Sequence, residues 1–416
     1  DLKVTSYNRR MANPEHPRLI IHNFLSLHLC KELEFIHKSC STIGYRPNVF
    51  STTLSHLIAT NSAHLILPFV PIRERLKEKV EEFFGCEFEL FVEFTGLISW
   101  SRGASIGWHS DDNRPYLKQR DFAAVCYLNS YGEDFKGGLF HFQDWDPTTV
   151  MPMAGDVVMY TADSRNIHSV DEITDGERLT LTLWFSRDGS HDEDAKLISS
   201  LSQRLLHSSE NRPHSYLPLP ASSNMYWFPP DQASNYQSGF DIRFARIHIL
   251  GYDLYPSQDK SCFSALDSSY DLSEILMEPL RLIRGDELFD EEFVNILHVL
   301  QVVQFYRWKA SELQTSESEE RINNVVLLSQ TQWEKINGLK LLFLKDKQLA
   351  ETVFSHLTCD DKPRQHTFDW ASFSAAVTAW EAYTCKLHKE LLMSLPYWRS
   401  HQFIFSVPSA GLENGA

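Results

Sequence analysis

No run of 18 or more apolar residues occurs in this 416-residue chain, so no membrane-spanning helix is expected. Positive charge is also short: 39 Lys and Arg stand against 55 Asp and Glu, a formal net charge of −16. Phosphate recognition needs clustered Lys and Arg, so direct nucleic-acid binding is not expected and a basic partner fits better. Cysteine is sparse. Cys30, Cys40, Cys86, Cys126, Cys262, Cys359 and Cys385 contain no C-x-x-C pair, and their odd count does not suggest a disulfide framework. A reducing intracellular compartment, cytoplasmic or nuclear, is the expectation. The chain opens on Asp1 rather than Met, which leaves room for a trimmed leader, and Gly415-Ala416 carries no retention or lipidation signal. No internal repeat is found.

What is present is an ordinary globular balance, 43% hydrophobic and 23% charged, over a length that accommodates two or three domains. Residues 71–85 read as a helix with Pro71 near its start and Gly85 beyond its end. Ile72, Leu76, Val80, Phe83 and Phe84 fall on one face of it. After Gly85 the texture changes to short β-rich runs at 90–100, 122–129, 138–142, 156–160 and 179–185, punctuated by Gly, Pro and Asp, which suggests a sandwich or barrel. Past Asp188, polar stretches at 199–215, 257–269 and 311–320 look like linkers or surface loops. Between them, 243–251 reads as a strand and 272–300, 332–357 and 370–395 as helices. The expected organisation is a first domain over 1–190, with a helical part at 17–85 and a β core at 88–188. A linker and β-containing extension at 191–270 and a mostly helical region at 271–416 follow.

The chemistry concentrates in the β core. His109 and Asp111 flank Ser110, and a lone H-x-D of this kind arises easily by chance. Further along stands His168, just after a predicted strand and the polar turn 161–166. Two imidazoles and one carboxylate on one face of Fe(II) form a facial triad, which leaves positions for oxygen and an oxidisable co-substrate. Ten residues past His168, Arg178 opens an apolar strand in which Arg178, Thr180 and Thr182 alternate with leucines. Such a face is either solvated or the wall of a pocket whose Arg178 grips a carboxylate. Beside a triad, the pocket is the better account.

Read in order, Pro17-Arg18-Leu19, Asn23-Phe24-Leu25-Ser26, His109-Ser110-Asp111, Tyr127-Leu128-Asn129, Gly137-Gly138-Leu139-Phe140, Gly155-Asp156-Val157, His168, Arg178 and Phe185-Ser186 make a pattern. It resembles the prolyl-hydroxylase-like branch of the Fe(II) and 2-oxoglutarate-dependent dioxygenases, over somewhat under half of the chain. The resemblance implies an α+β fold: a double-stranded β-helix, or jelly roll, with flanking helices, to which the mostly helical C-terminal region is added. It also implies Fe(II) on His109, Asp111 and His168, and 2-oxoglutarate held by Arg178 with Tyr127 and Thr180 beside it. Oxygen would then drive decarboxylation of 2-oxoglutarate to succinate, coupled to hydroxylation or oxidative demethylation of a substrate, with ascorbate keeping the iron reduced. Trp100 stands where prolyl hydroxylases usually have tyrosine, and Leu139 where Glu is frequent, so prolyl hydroxylation is not assumed.

A protein or peptide residue is the expected substrate, because that branch commonly acts on polypeptides. The polar, Pro-containing stretch 112–121 also reads as a mobile loop at a barrel mouth. Asp112, Asp121, Glu133 and Asp134 would favour basic residues near the target. Two other readings compete. Gly103-Ala104-Ser105-Ile106-Gly107 matches a hydrolase nucleophile elbow, with Asp156 and His168 in hydrolase order, but residues 108–116 offer no apolar helix to follow it. A jelly roll kept only as a binding scaffold is the second. Zinc suits a carboxylate-bearing triad without Cys less well than Fe(II) does. His141 and Asp144 read as polar residues of a strand and its turn, and Tyr226-Trp227-Phe228-Pro229-Pro230 as a packed junction.

Overall fold

Local signals set the first elements. A computed structural model describes residues 15–40, 43–46, 48–59, 62–206, 301, 304, 305, 308, 309 and 370–408. Strand β1 (Arg18–Ile21) leads to helix α1 (Leu27–Ser39), whose start is capped by the Ser26 hydroxyl accepting the Leu29 N–H at 3.2 Å. Strands β2 (Ile43–Arg46) and β3 (Val49–Thr53) and helix α2 (Leu54–Ala59) follow. Helix α3 (Val70–Phe84) starts with Pro71 in its first turn and stops at Gly85, whose φ of 61° is the left-handed cap. Ile72, Leu76 and Val80 are buried on its expected face, Phe83 and Phe84 half-buried. The region 17–85, read as helical, thus also supplies three short strands.

The β core comprises β4 (Phe91–Ser101), β5 (Ile106–His109), β6 (Phe122–Tyr127), β7 (Phe135–Gly137), β8 (Phe140–Phe142), β9 (Thr149–Val150), β10 (Val157–Thr161), β11 (His168–Val170) and β12 (Ile173–Ser186). They form an eight-stranded sheet in the order β1-β10-β6-β12-β4-β3-β2, with β7 on the first residues of β12, and a four-stranded sheet in the order β5-β11-β8-β9. All named pairings are antiparallel. Alternation divides the large sheet between two cores. Ala124, Cys126, Met159, Leu179, Leu181 and Leu183 pack with the helices on one side. Phe94, Ile98, Trp100, Val125, Tyr127, Val158 and Tyr160 face inward with Phe140, Phe142 and Val170 of the small sheet. Two facing antiparallel sheets around a shared interior make this a jelly roll, flanked by helices as expected.

Helix α4 (Glu193–Leu206) and the long helix α5 (Trp370–His401) complete the outer layer. Leu387, Leu391, Leu395 and Trp398 recur at helical spacing and join the core that covers the large sheet. Polar contacts fasten the end of α5 as well: Ile404 donates its N–H to Asp194 at 2.8 Å, and Ser406 its N–H to Glu74 at 2.7 Å. The expected helices at 272–300 and 332–357, the strand at 243–251 and the aromatic segment at 226–230 lie outside the described residues.

Candidate metal centre

His109 ends β5, Asp111 lies in the turn that follows, and His168 begins β11 directly opposite His109 in the antiparallel register. One ligand atom from each of the three falls within 4.8 Å of the others. The imidazole centroids are 4.3 Å apart. Each histidine is locked in the same way: its Nδ1 meets the carbonyl two residues back, Gly107 O at 2.8 Å for His109 and Asn166 O at 2.9 Å for His168. A carbonyl only accepts, so the proton sits on Nδ1 and the lone pair is left on Nε2, the tautomer a metal requires. The carbonyl of Asn166 is itself held, since its amide donates to Pro17 O at 3.0 Å and to the Thr161 hydroxyl at 2.8 Å. Burial brings the His168 pKa down to about 4, opposed by Asp111, so the ring is neutral and ready to ligate at physiological pH.

Tyr160 completes this cluster, and the motif reading did not find it. Its hydroxyl donates to Asp111 Oδ2 at 3.0 Å and lies 3.4 Å from His168 Nε2. Burial, with Asp111 adding to it, raises its pKa well above the ordinary tyrosine value. The available signal was the alternation of β10, which places Val158 and Tyr160 on the face of β6 and β12 that carries Tyr127 and Arg178.

Arg178 and Thr180 are each only 2% exposed, so the face they share is interior and the solvated-face alternative fails. Three arginines are buried among the described residues, and two have carboxylates. Arg73 binds Asp194 at 2.5 Å and Glu193 at 3.1 Å, and Arg120 binds Glu93 at 3.1 Å. Arg178 has none. Its guanidinium sits 5.2 Å from the Tyr127 ring and 5.6 Å from the Trp100 ring, and its Nε has no hydrogen-bond partner. The buried Tyr127 hydroxyl has the Arg178 guanidinium as its neighbour. Burial lowers the Arg178 pKa, with Tyr127 opposing, and burial raises that of Tyr127, with Arg178 opposing. A desolvated cation and a desolvated hydroxyl side by side are groups that a carboxylate would satisfy.

The surrounding motifs build this chamber. Thr180 lies opposite Tyr127 in the β6–β12 ladder, and Arg178 opposite Trp100 in the β4–β12 ladder. The Asn129 side chain brackets Arg178, donating to Glu177 O at 2.7 Å and accepting from Leu179 N at 2.9 Å. Gly138 has φ of 65°, and a Cβ there would lie 2.2 Å from Ile173 Cδ1 and 3.3 Å from Arg178 Cδ. Arg18 lies 4.0 Å over the Phe142 ring and donates to the carbonyls of Asp144, Trp145 and Pro147, so it holds the loop after β8.

Other expected residues lie elsewhere. Ser105 is exposed and is followed by strand β5 rather than a helix, while Asp156 binds His22 at 2.7 Å and the Asn23 N–H at 3.0 Å, so no hydrolase triad forms. His141 meets Thr149 at 3.0 Å and Asp171 at 2.7 Å, as a strand residue. Asp112 pairs with Lys118 and Asp121 with Arg187, each at 2.7 Å, and Asp134 accepts the Ser130 N–H. These three carboxylates are engaged within the chain. The stretch 112–121 is likewise tied at both ends, and residues 115–117 form a 3-10 turn within it.

Comparison with known proteins bears on the same residues. Residues 95–186 match the family model of the 2OG-Fe(II) oxygenase superfamily. Human prolyl 3-hydroxylase 1 is 26% identical over 281 residues, covering 57% of this chain and 37% of that protein. The mouse protein of the same name is 32% identical over 164 residues, 33% of this chain and 22% of that one. The chain therefore spans about a third or less of the length of these relatives. Among solved structures, a Pseudomonas putida prolyl-4-hydroxylase is 20% identical, covers 42% of this chain and 94% of its own, and superposes with a TM-score of 0.34.

Proposed function

With residues 95–186 belonging to the 2OG-Fe(II) oxygenase superfamily, in its prolyl-hydroxylase-like branch, we propose that this protein is a 2-oxoglutarate-dependent dioxygenase that hydroxylates a protein or peptide side chain. One observation carries the reading: a His109–Asp111–His168 face and a buried arginine without a counter-ion share one barrel interior. The donor set fits Fe(II), which two imidazoles and a carboxylate on one face hold with positions to spare. Arg178, which has no carboxylate partner, and the Tyr127 hydroxyl beside it fit the distal carboxylate of 2-oxoglutarate. Bound there with dioxygen, iron and 2-oxoglutarate supply oxidative decarboxylation to succinate and carbon dioxide, coupled to placing a hydroxyl on a substrate C–H bond.

The chain's own groups prepare that chemistry. His109 and His168 present Nε2, and Asp111 supplies the negative charge that Fe(II) needs. Arg178 binds and orients the co-substrate through charge-assisted N–H donors, with Tyr127 adding an O–H donor that its raised pKa keeps protonated. Trp100, Phe140 and Phe142 exclude water from the interior. Ascorbate is the expected external reductant.

For a polypeptide substrate the support is the names of the relatives and the rim of the site. Trp108 on β5, Tyr116 in the stretch after Asp111 and Trp145 after β8 are all more than half exposed. They flank the strand ends that carry the triad, where exposed aromatics suit an extended chain. The test is succinate release from purified protein with Fe(II), 2-oxoglutarate, ascorbate and oxygen, with peptide and metabolite libraries compared. Peptide-stimulated succinate that is lost in His109→Ala, Asp111→Ala or His168→Ala is expected. Stimulation by metabolites alone would exclude a polypeptide substrate, and no succinate from protein shown to hold iron would leave a binding scaffold.

A further inference from the structure

The metal-facing carboxylate has two oxygens, and how many of them reach the ion decides what else can bind. A six-coordinate ion that takes two imidazoles and one carboxylate oxygen keeps three positions. A 2-oxo acid chelating through its ketone and adjacent carboxylate uses two, and dioxygen needs the third. If Asp111 gripped the ion with both oxygens, one of these would be shut out.

We infer that Tyr160 is a positioning residue that holds Asp111 to one-oxygen coordination by occupying its second oxygen. The inference rests on the iron reading above. In the structure Oδ1 of Asp111 is the oxygen paired with His168 Nε2, at 3.9 Å, whereas Oδ2 accepts the Tyr160 hydroxyl at 3.0 Å. The two oxygens are thus already assigned different partners. A carboxylate only accepts, so the tyrosine must donate, and with a metal on His168 Nε2 the alternative contact at 3.4 Å would be given up. The hydroxyl has little freedom to leave. Tyr160 is fully buried near the end of β10, with Arg18 of β1 and Ala123 of β6 as its ladder partners. Its ring lies against Phe142 at 5.6 Å, Phe140 at 5.9 Å and His168 at 5.0 Å. Supporting groups behind a ligand commonly set its geometry in this way.

The test is Tyr160→Phe, which keeps the ring and removes only the hydroxyl, compared with wild type under anaerobic conditions. Three quantities are read: Fe(II) affinity, 2-oxoglutarate affinity of the iron-loaded protein, and the visible charge-transfer band that a chelated 2-oxo acid gives with Fe(II). The expected result is Fe(II) affinity equal to or tighter than wild type, with 2-oxoglutarate binding about tenfold weaker and the band diminished. The thermal midpoint serves as the control, because a packing role would move it and leave the band alone. An unchanged band and unchanged 2-oxoglutarate affinity in Tyr160→Phe would overturn the inference and leave the iron reading standing. A wild-type protein that binds iron and 2-oxoglutarate without forming the band would overturn both.

Discussion

Replacing Arg178 with methionine should have opposite effects on the free and the ligand-bound protein. In the free protein Arg178 is fully buried without a carboxylate, so removing its charge relieves desolvation that only the neighbouring tyrosines offset, and stability should hold or rise. Arg73→Met is the contrast. It strands Asp194 and Glu193 in the interior and should lose about 3–5 kcal/mol. With 2-oxoglutarate the order reverses. Charge-assisted contacts of the kind Arg178 offers are worth about 1.5–3 kcal/mol, roughly a tenfold to hundredfold loss of affinity. At ligand near 100 times its Kd, wild type gains about 2.7 kcal/mol, whereas a variant binding a hundredfold more weakly gains only about 0.4 kcal/mol. For a unit of about 200 residues this corresponds to a midpoint shift of roughly 5–11 °C against about 1–2 °C. Thermal melting of iron-loaded protein with and without 2-oxoglutarate, in the absence of oxygen, reads both effects. An Arg178→Met variant that keeps the full ligand-induced shift would refute the pocket.

Three further outcomes follow from other parts of the molecule. His56 is buried with its pKa pushed down to about 3, and its Nδ1 accepts the Thr53 hydroxyl at 2.7 Å. Since the unfolded chain takes up that proton near pH 6.5, stability is complete above that value and falls by about 2 kcal/mol between pH 6.5 and 5. Chemical denaturation across that window should show the fall, and His56→Asn should reduce the slope. Gly138→Ala puts a side chain in the left-handed region and against Ile173 and Arg178, so about 1–2 kcal/mol of stability and part of the 2-oxoglutarate affinity should be lost. Wild-type ligand binding by this variant would contradict the proposed packing. Trp398→Ala should cost about 3–5 kcal/mol in urea denaturation of the whole unit, and a barrel transition left in place would show that α5 is not part of its core.

The grouping of His109, Asp111 and His168 was legible because an H-x-D pair followed by a third histidine stood among motifs in a matching order, and the structure brings the three together. The interior placing of Arg178 was half legible. Alternation put Arg178 and Thr180 on one face, but a solvated face has the same pattern, and only burial on both sides of β12 separates the two. Tyr160 was not legible, since a tyrosine in an apolar strand reads as core until its hydroxyl is seen to reach Asp111. β5, β9 and β11, at two to four residues, are too short for periodicity to register. Formal charge alone did not reveal that Asp112 and Asp121 have cations within the chain. The helicity of α5 could be read from spacing, but nothing in an amphipathic face states which surface will cover it.

The docking of α5 has a consequence for synthesis on the ribosome. Tyr383 hydrogen-bonds Glu32 at 2.8 Å, and Ser406 reaches Glu74, so contacts of the first ninety residues close only with the last forty. Helix α5 begins about 160 residues after α4 ends. At roughly 5–20 residues per second, the outer flank of the large sheet waits about 10–30 s for its cover. Until then the side chains that meet Leu387, Leu391 and Trp398 lack that native cover. A stop between residues 206 and 398 would release a chain that has His109, Asp111 and His168 but lacks part of the helix that covers its large sheet.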